Sequence, residues 1–197
     1  ASGFVGTNLV NKLQSIDCEL LTPSSSELDL TNEKSVNDYF ASYFPKVVLH
    51  IAGKVGGILA NKTYPGEFFH KNAMMSVLVG HYAWLNGAEK VVSLAAGCGY
   101  PKHLEVPYRE DQFWDGFPDE NSYGYSLAKK NLIVQSWSYR EQYGFDSTVL
   151  LPANLYGPHD NFDLESSHVV PALIRKFIEA RDEGRDEVVV WGDGSAS

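Results

Sequence analysis

A chain of 197 residues, 44% hydrophobic and 21% charged, can bury a substantial core as one domain or as one domain plus part of another. Its net charge of −9 argues against a nucleic-acid or membrane-surface binder, which would be basic, and no apolar run is long enough to cross a bilayer. Cys18 and Cys98 make neither a disulfide framework nor a metal-type spacing, so no metal is expected, and with no visible signal sequence the cytoplasm is the default location.

The chain opens on Ala1-Ser2-Gly3-Phe4-Val5-Gly6 and continues with a helical pattern over Thr7–Leu13. This reads as the second half of a G-x-x-G-x-x-G turn. Gly3 would let the backbone approach a pyrophosphate, and Gly6 would allow close helix–sheet packing. A plain glycine-rich turn fits the same residues. On the first reading the central strand and the first glycine lie before Ala1, and the sequence is expected to be a fragment. Glu19–Thr22 is a candidate strand, followed by Pro23-Ser24-Ser25-Ser26 and Glu27–Thr31. In a dinucleotide fold the residues here choose between a ribose hydroxyl and a 2′-phosphate. Serines carry no charge, so the choice between NAD and NADP stays open.

A helix is expected over 32–43, with Thr31 as its cap and Glu33 in the first turn. Val47–Gly53 is a continuous apolar run, the mark of a strand buried on both faces, with His50 as a core histidine. The glycine-containing loop 54–61 follows at that strand's carboxyl end, the edge where ligands collect in open parallel sheets. A long helix over 65–86 closes at Gly87, with Met74 and Met75 as packing residues. Next come a buried strand over 90–96, the turn Gly97-Cys98-Gly99-Tyr100-Pro101, and an acidic, aromatic loop over 102–121. A helix from 123 to 143 closes at Gly144, and a strand covers 147–152. An amphipathic helix over 171–182 and a short strand over 187–191 complete the chain. This βαβα alternation implies an α/β, Rossmann-type, doubly wound parallel sheet.

Tyr125 and Lys129, four residues apart, share one face of the 123–143 helix. A phenol titrates near ~10 and is a poor acid–base group at neutral pH, but a neighbouring cation stabilises the phenolate. The pair makes sense as a proton donor and its tuner; a solvated helix face would also accommodate it.

The glycine start, Tyr125-x-x-x-Lys129 and Asn154-Leu155-Tyr156-Gly157-Pro158 together resemble the extended short-chain dehydrogenase/reductase superfamily. Lys54-Val55-Gly56-Gly57-Ile58, Cys98-Gly99-Tyr100-Pro101-Lys102, Gly157–Phe162 and Ser167–Arg175 narrow the resemblance to the GDP-L-fucose synthases, essentially end to end. That resemblance implies a Rossmann domain over 1–160 and the start of a smaller sugar-nucleotide domain over 161–197. It also implies epimerisation at carbons 3 and 5 of GDP-4-keto-6-deoxy-D-mannose, followed by reduction of carbon 4 with NADPH. Tyr125 would protonate the carbon-4 oxygen, with Lys129 lowering its pKa and holding the nicotinamide ribose. Cys98 and His168 would serve the epimerisations as base and acid. Pro152, Asn154 and Leu155 would line the nicotinamide pocket. His168, Lys176 and Trp191 would contact the sugar nucleotide, whereas His159 would shape a loop. A homodimer paired through the long helices is also implied.

Two residues depart from the pattern. Ala96 stands where the family carries a serine that hydrogen-bonds the substrate ketone, and losing a comparable donor costs about 10²–10³ in rate. The serine-rich loop replaces an expected arginine, which leaves NAD as an alternative to NADP. The further readings are an epimerase without net reduction and a catalytically silent nucleotide-binding protein.

Overall fold

Three parallel strands carry the site. β1 (Val47–His50), β2 (Lys90–Leu94) and β3 (Ser147–Leu150) lie side by side in sequence order, in a computed structural model that describes residues 1–164 and 166–190. Around them run α1 (Phe4–Leu13), α2 (Glu33–Tyr43), α3 (Ile58–Thr63), α4 (Pro65–Leu85), α5 (Tyr123–Tyr143) and α6 (Val169–Asp182). Each step from strand to parallel strand crosses by a long helix, α4 and then α5, as parallel pairing requires.

The register explains which face the helices cover. Val48 and Ser147 both pair with Val91, so the three side chains project from one face. Val48 and Val91 pack with Leu78, Val79, Tyr82 and Ala83 of α4 and with Val36 and Phe40 of α2. Ser147 Oγ hydrogen-bonds Ser136 Oγ of α5 at 2.6 Å. Val47 and Leu49 point the other way and remain 55% and 38% exposed. Burial of the 47–53 run on both faces is therefore realised on one face only, because α4 and α5 both lie on the side bearing Val48, Val91 and Ser147.

Local chemistry sets the helix ends. Asn32, not Thr31, caps α2: its Oδ1 accepts from Ser35 N at 3.0 Å, while the Thr31 hydroxyl donates to Asp29 Oδ1. Pro65 opens α4, where its missing N–H costs nothing. Gly87 and Gly144 take positive φ, 78° and 68°, just beyond α4 and α5. The glycine loop after β1 contains a short helix, α3, that the residue pattern did not suggest; Asn61 Nδ2 donates to Gly56 O at 2.8 Å and steadies its start. Glu19–Thr22 forms no strand: no neighbouring strand among the described residues supplies a ladder. Residues 187–190 form no strand either, and Trp191 lies outside the described residues.

α4 and α5 pack against each other, and their amino ends come together at Pro65 and Gly124. A Cβ on Gly124 would lie 2.6 Å from the Pro65 carbonyl oxygen, so only glycine permits this approach. Gly124→Ala is expected to lower stability by about 1–3 kcal/mol through forced backbone movement, or roughly 2–4 °C in Tm per kcal/mol. Gly66→Ala, whose Cβ meets nothing within 4 Å, should leave Tm unchanged or slightly raised. Thermal melts of the two variants compare them directly; equal Tm values would refute the close-packing account.

Candidate active site

The first turns of α5 deliver three side chains to the carboxyl ends of β1 and β2. Lys129, 4% exposed, donates from Nζ to Leu94 O at 3.1 Å and to Ala52 O at 3.4 Å. Among the described residues no carboxylate pairs with this ammonium, and burial lowers its pKa to about 8. Space for it depends on Gly53, where a Cβ would come within 3.2 Å of both Lys129 Nζ and Asn72 Oδ1. Asn72, almost wholly buried on α4, accepts from Lys54 N at 3.0 Å and donates to Lys54 O at 3.0 Å and Phe68 O at 2.8 Å. It thereby pins the loop that follows β1. Asn72 was not singled out from the sequence; the available signal is a polar residue on the inward face of an otherwise apolar helix.

Tyr125 packs edge-on against Phe68, ring centroids 6.5 Å apart, and Lys129 Nζ lies 5.9 Å from its own ring centroid. Burial, and next the charge of a Cys98 thiolate, raise the phenol above its ordinary range. Burial therefore moves this phenol in the direction opposite to the lowering expected from Lys129. The consequence is a phenol that is fully protonated at neutral pH, which is the form a proton donor needs.

Cys98 sits in a single 3₁₀ turn, Gly97–Gly99, just past β2. Phe113 occupies the space beside Gly99, where a Cβ would fall 2.4 Å from its ring. On the other side, Pro152 O lies 3.3 Å from where a Cβ on Gly97 would be, so the segment after β3 adjoins the cysteine turn. The thiol is solvent-accessible but hemmed in by protein, and that burial pushes its pKa up. Hydrogen bonding from Ser126 and the Lys129 charge act in the opposite direction. Ser126, missed in the sequence, places Oγ 3.2 Å from Cys98 Sγ and 3.0 Å from Cys98 O. Ser93 and Ser126 are both buried.

The amino end of α1 comes to the loop after β3: Asn8 Nδ2 donates to Pro158 O at 2.8 Å. Gly3 precedes that helix with no side-chain cap and with open space where a Cβ would be, whereas a Cβ on Gly6 would strike Ala1 O at 2.5 Å. Asn154 and Leu155 are exposed in the same loop, and His159 turns it through a φ of 70°. Ser24 hydrogen-bonds Glu27 through both its backbone N (2.8 Å) and its Oγ (2.7 Å). His168 begins α6 and is exposed; among the described residues no hydrogen bond or ring contact joins it to Cys98 or Tyr125. Lys176 lies farther along α6 and donates to Val189 O at 3.1 Å. Tyr125, Lys129, Cys98 and Pro152 are thus drawn together, while His168 and Lys176 stand on a separate helix.

This arrangement places a thiol, a phenol and a buried ammonium at the ligand edge of a parallel sheet, beside a glycine-led helix start. The chain is 40% identical over 193 residues to GDP-L-fucose synthase of Sinorhizobium fredii, covering 98% of this chain and 62% of the relative. It is 38% identical over 197 residues to GDP-L-colitose synthase of Yersinia pseudotuberculosis, covering 100% and 64%. Among solved structures it superposes on MlghC, a GDP-mannoheptose C4 reductase from Campylobacter jejuni with NADP bound, with a TM-score of 0.84 at 31% identity, over 94% of this chain and 59% of that one. The chain therefore spans somewhat less than two thirds of the length of these relatives. The family model for NAD dependent epimerases and dehydratases matches residues 1–197, and the chain belongs to the NAD dependent epimerase/dehydratase family.

Proposed function

We propose that this protein is an NADP-dependent epimerase/reductase that converts GDP-4-keto-6-deoxy-D-mannose to GDP-L-fucose. The observation that carries this reading is the meeting of Cys98 with the Tyr125–Lys129 pair at the carboxyl edge of the sheet. One chemistry needs both: proton exchange beside a ketone, then protonation of the ketone oxygen during reduction. The 40% identity to a GDP-L-fucose synthase and the NADP-bound GDP-sugar reductase of the same fold support it.

The residues present fit the cofactor. Gly3 leaves open space at the uncapped amino end of α1, where backbone N–H groups suit a diphosphate, and Asn154 and Leu155 are exposed in the adjoining loop. Bound NADPH would supply the hydride for reduction at carbon 4. Cys98 and His168 exchange the protons at carbons 3 and 5, one as base and one as acid. Tyr125 then gives its phenolic proton to the carbon-4 oxygen, and the Lys129 cation balances the resulting tyrosinate. Lys176 and Trp191 contact the sugar nucleotide.

A second reading, a related GDP-linked 4-keto sugar as substrate, is favoured by Ala96 and by the 38% identity to GDP-L-colitose synthase. For assembly we propose a homodimer through α4 and α5, whose outward residues Val77, Leu85, Val134 and Trp137 leave large apolar side chains exposed.

In deuterated water with GDP-4-keto-6-deoxy-D-mannose, the intact protein should consume NADPH and incorporate deuterium. Tyr125→Phe should lower NADPH oxidation by about 10²–10⁴ while deuterium uptake persists. Uptake without NADPH loss in the wild type would leave an epimerase, and neither signal would refute the proposed reaction. Because Lys129 loses its proton above about pH 8, the reductive step should decline as pH rises through that value while remaining near its plateau below it. A pH profile of single-turnover NADPH oxidation tests this; a flat profile to pH 9.5 would remove Lys129 from the step. Trp137→Glu should shift the light-scattering mass from dimer toward monomer, and an unchanged mass would exclude this face as the interface.

A further inference from the structure

We propose that Ser126 is a positioning residue for Cys98, holding its thiol and its thiolate alternately through one rotating hydroxyl. The inference rests on the reading of Cys98 as an acid–base group and adds a residue that the chemistry of epimerisation requires. A group that takes and returns a proton must be accommodated in both charge states. A buried partner that suits only one state would trap it there.

Ser126 has the geometry for both. It is 0% exposed, in the first turn of α5 beside Tyr125, and its Oγ lies 3.0 Å from Cys98 O and 3.2 Å from Cys98 Sγ. A hydroxyl has one proton to donate and two lone pairs. When Cys98 is a thiol, its S–H donates to Ser126 Oγ and the hydroxyl donates to the Cys98 carbonyl. When Cys98 has passed its proton to the substrate carbon, the hydroxyl turns about its C–O bond and donates to the sulfur anion. No heavy atom has to move, and the second bond is charge-assisted, which makes it the stronger of the two.

The surroundings leave this task to Ser126. The titratable groups that act on Cys98 or are acted on by it are Tyr125 and Lys129, both on α5. Lys130, next on that helix, donates instead to Phe113 O at 2.6 Å, and no carboxylate among the described residues acts on the thiol. Ser122 Oγ is the remaining neighbour of Ser126 Oγ, at the longer distance of 3.4 Å. With burial pushing the thiol up, removal of the one side-chain hydroxyl that reaches it among the described residues should raise its midpoint further.

The test is the pH dependence of iodoacetamide alkylation at Cys98 in the intact protein. Its peptide is quantified apart from that of Cys18 by mass spectrometry, between pH 6 and 10. Ser126→Ala is smaller and a better helix former, so folding should be retained. Its alkylation midpoint should rise by about half to one pH unit, lowering the rate at neutral pH about three- to tenfold with an unchanged plateau at high pH. Ser126→Thr, which keeps the hydroxyl, should return the midpoint toward the wild-type value. An unshifted midpoint in Ser126→Ala, a change confined to the plateau, or a Thr midpoint displaced as far as that of Ala would overturn the assignment and leave Ser126 a packing residue. Alkylation needs no substrate. A shifted midpoint in a protein that exchanges no deuterium from the keto sugar would therefore support the Ser126–Cys98 coupling while refuting the proposed reaction.

Discussion

The buried ammonium of Lys129 joins α5 to the carboxyl ends of the sheet. Its two carbonyl acceptors, Leu94 O at the end of β2 and Ala52 O just past β1, lie beyond adjacent parallel strands, so one side chain ties α5 to both. Everything nearby follows from that tie. Tyr125 one turn earlier is set against Phe68 of α4, Ser126 is set on the cysteine turn, and Gly53 and Asn72 shape the space the cation occupies. A charge held in low dielectric without a carboxylate is costly, and its lowered pKa records that cost. A fully paired lysine would be cheaper to bury but would have less of its field left for a neighbouring phenolate.

Lys130 shows how the adjacent position can do a different job. Its ammonium donates to Phe113 O and lies over the Phe113 and Trp114 rings, 4.5 Å and 4.7 Å from their centroids. Phe113 in turn fills the space beside Gly99, with Tyr100 packed edge-on against it at 4.8 Å. A cation–aromatic stack thus clamps the acidic loop over 102–121 beneath the cysteine turn. Successive lysines on one helix are divided between the reaction site and the support of the loop next to it.

The resemblance to fucose synthases covers most of the residues at this edge and leaves two features to be explained by the structure. Ala96 carries no hydroxyl at the end of β2, and Ser93 and Ser126 are both buried. Ser126 directs its oxygen at the thiol. Polar side chains at the end of β2 are therefore gathered around Cys98 and Tyr125.

Much of the fold was legible in the residues because burial periodicity and end signals are local. The long helices, their glycine stops at Gly87 and Gly144, the three strand cores and the shared face of Tyr125 and Lys129 all depend on spacing within a few residues. Likeness to a known motif pointed to Cys98, Pro152 and Asn154, but neither periodicity nor spacing did. The strands expected at 19–22 and 187–191 did not form over the described residues 19–22 and 187–190 for a non-local reason: a segment becomes a strand only when a neighbour supplies its ladder. The same limit hid Asn72 and Ser126, whose partners lie 18 and 28 residues away in sequence. Sequence alone determined the long helices, the three strand cores and which side chains could perform acid–base chemistry. Only the tertiary structure decided which of those side chains meet and how far burial moves their protons, because desolvation and hydrogen bonding depend on what the fold brings alongside.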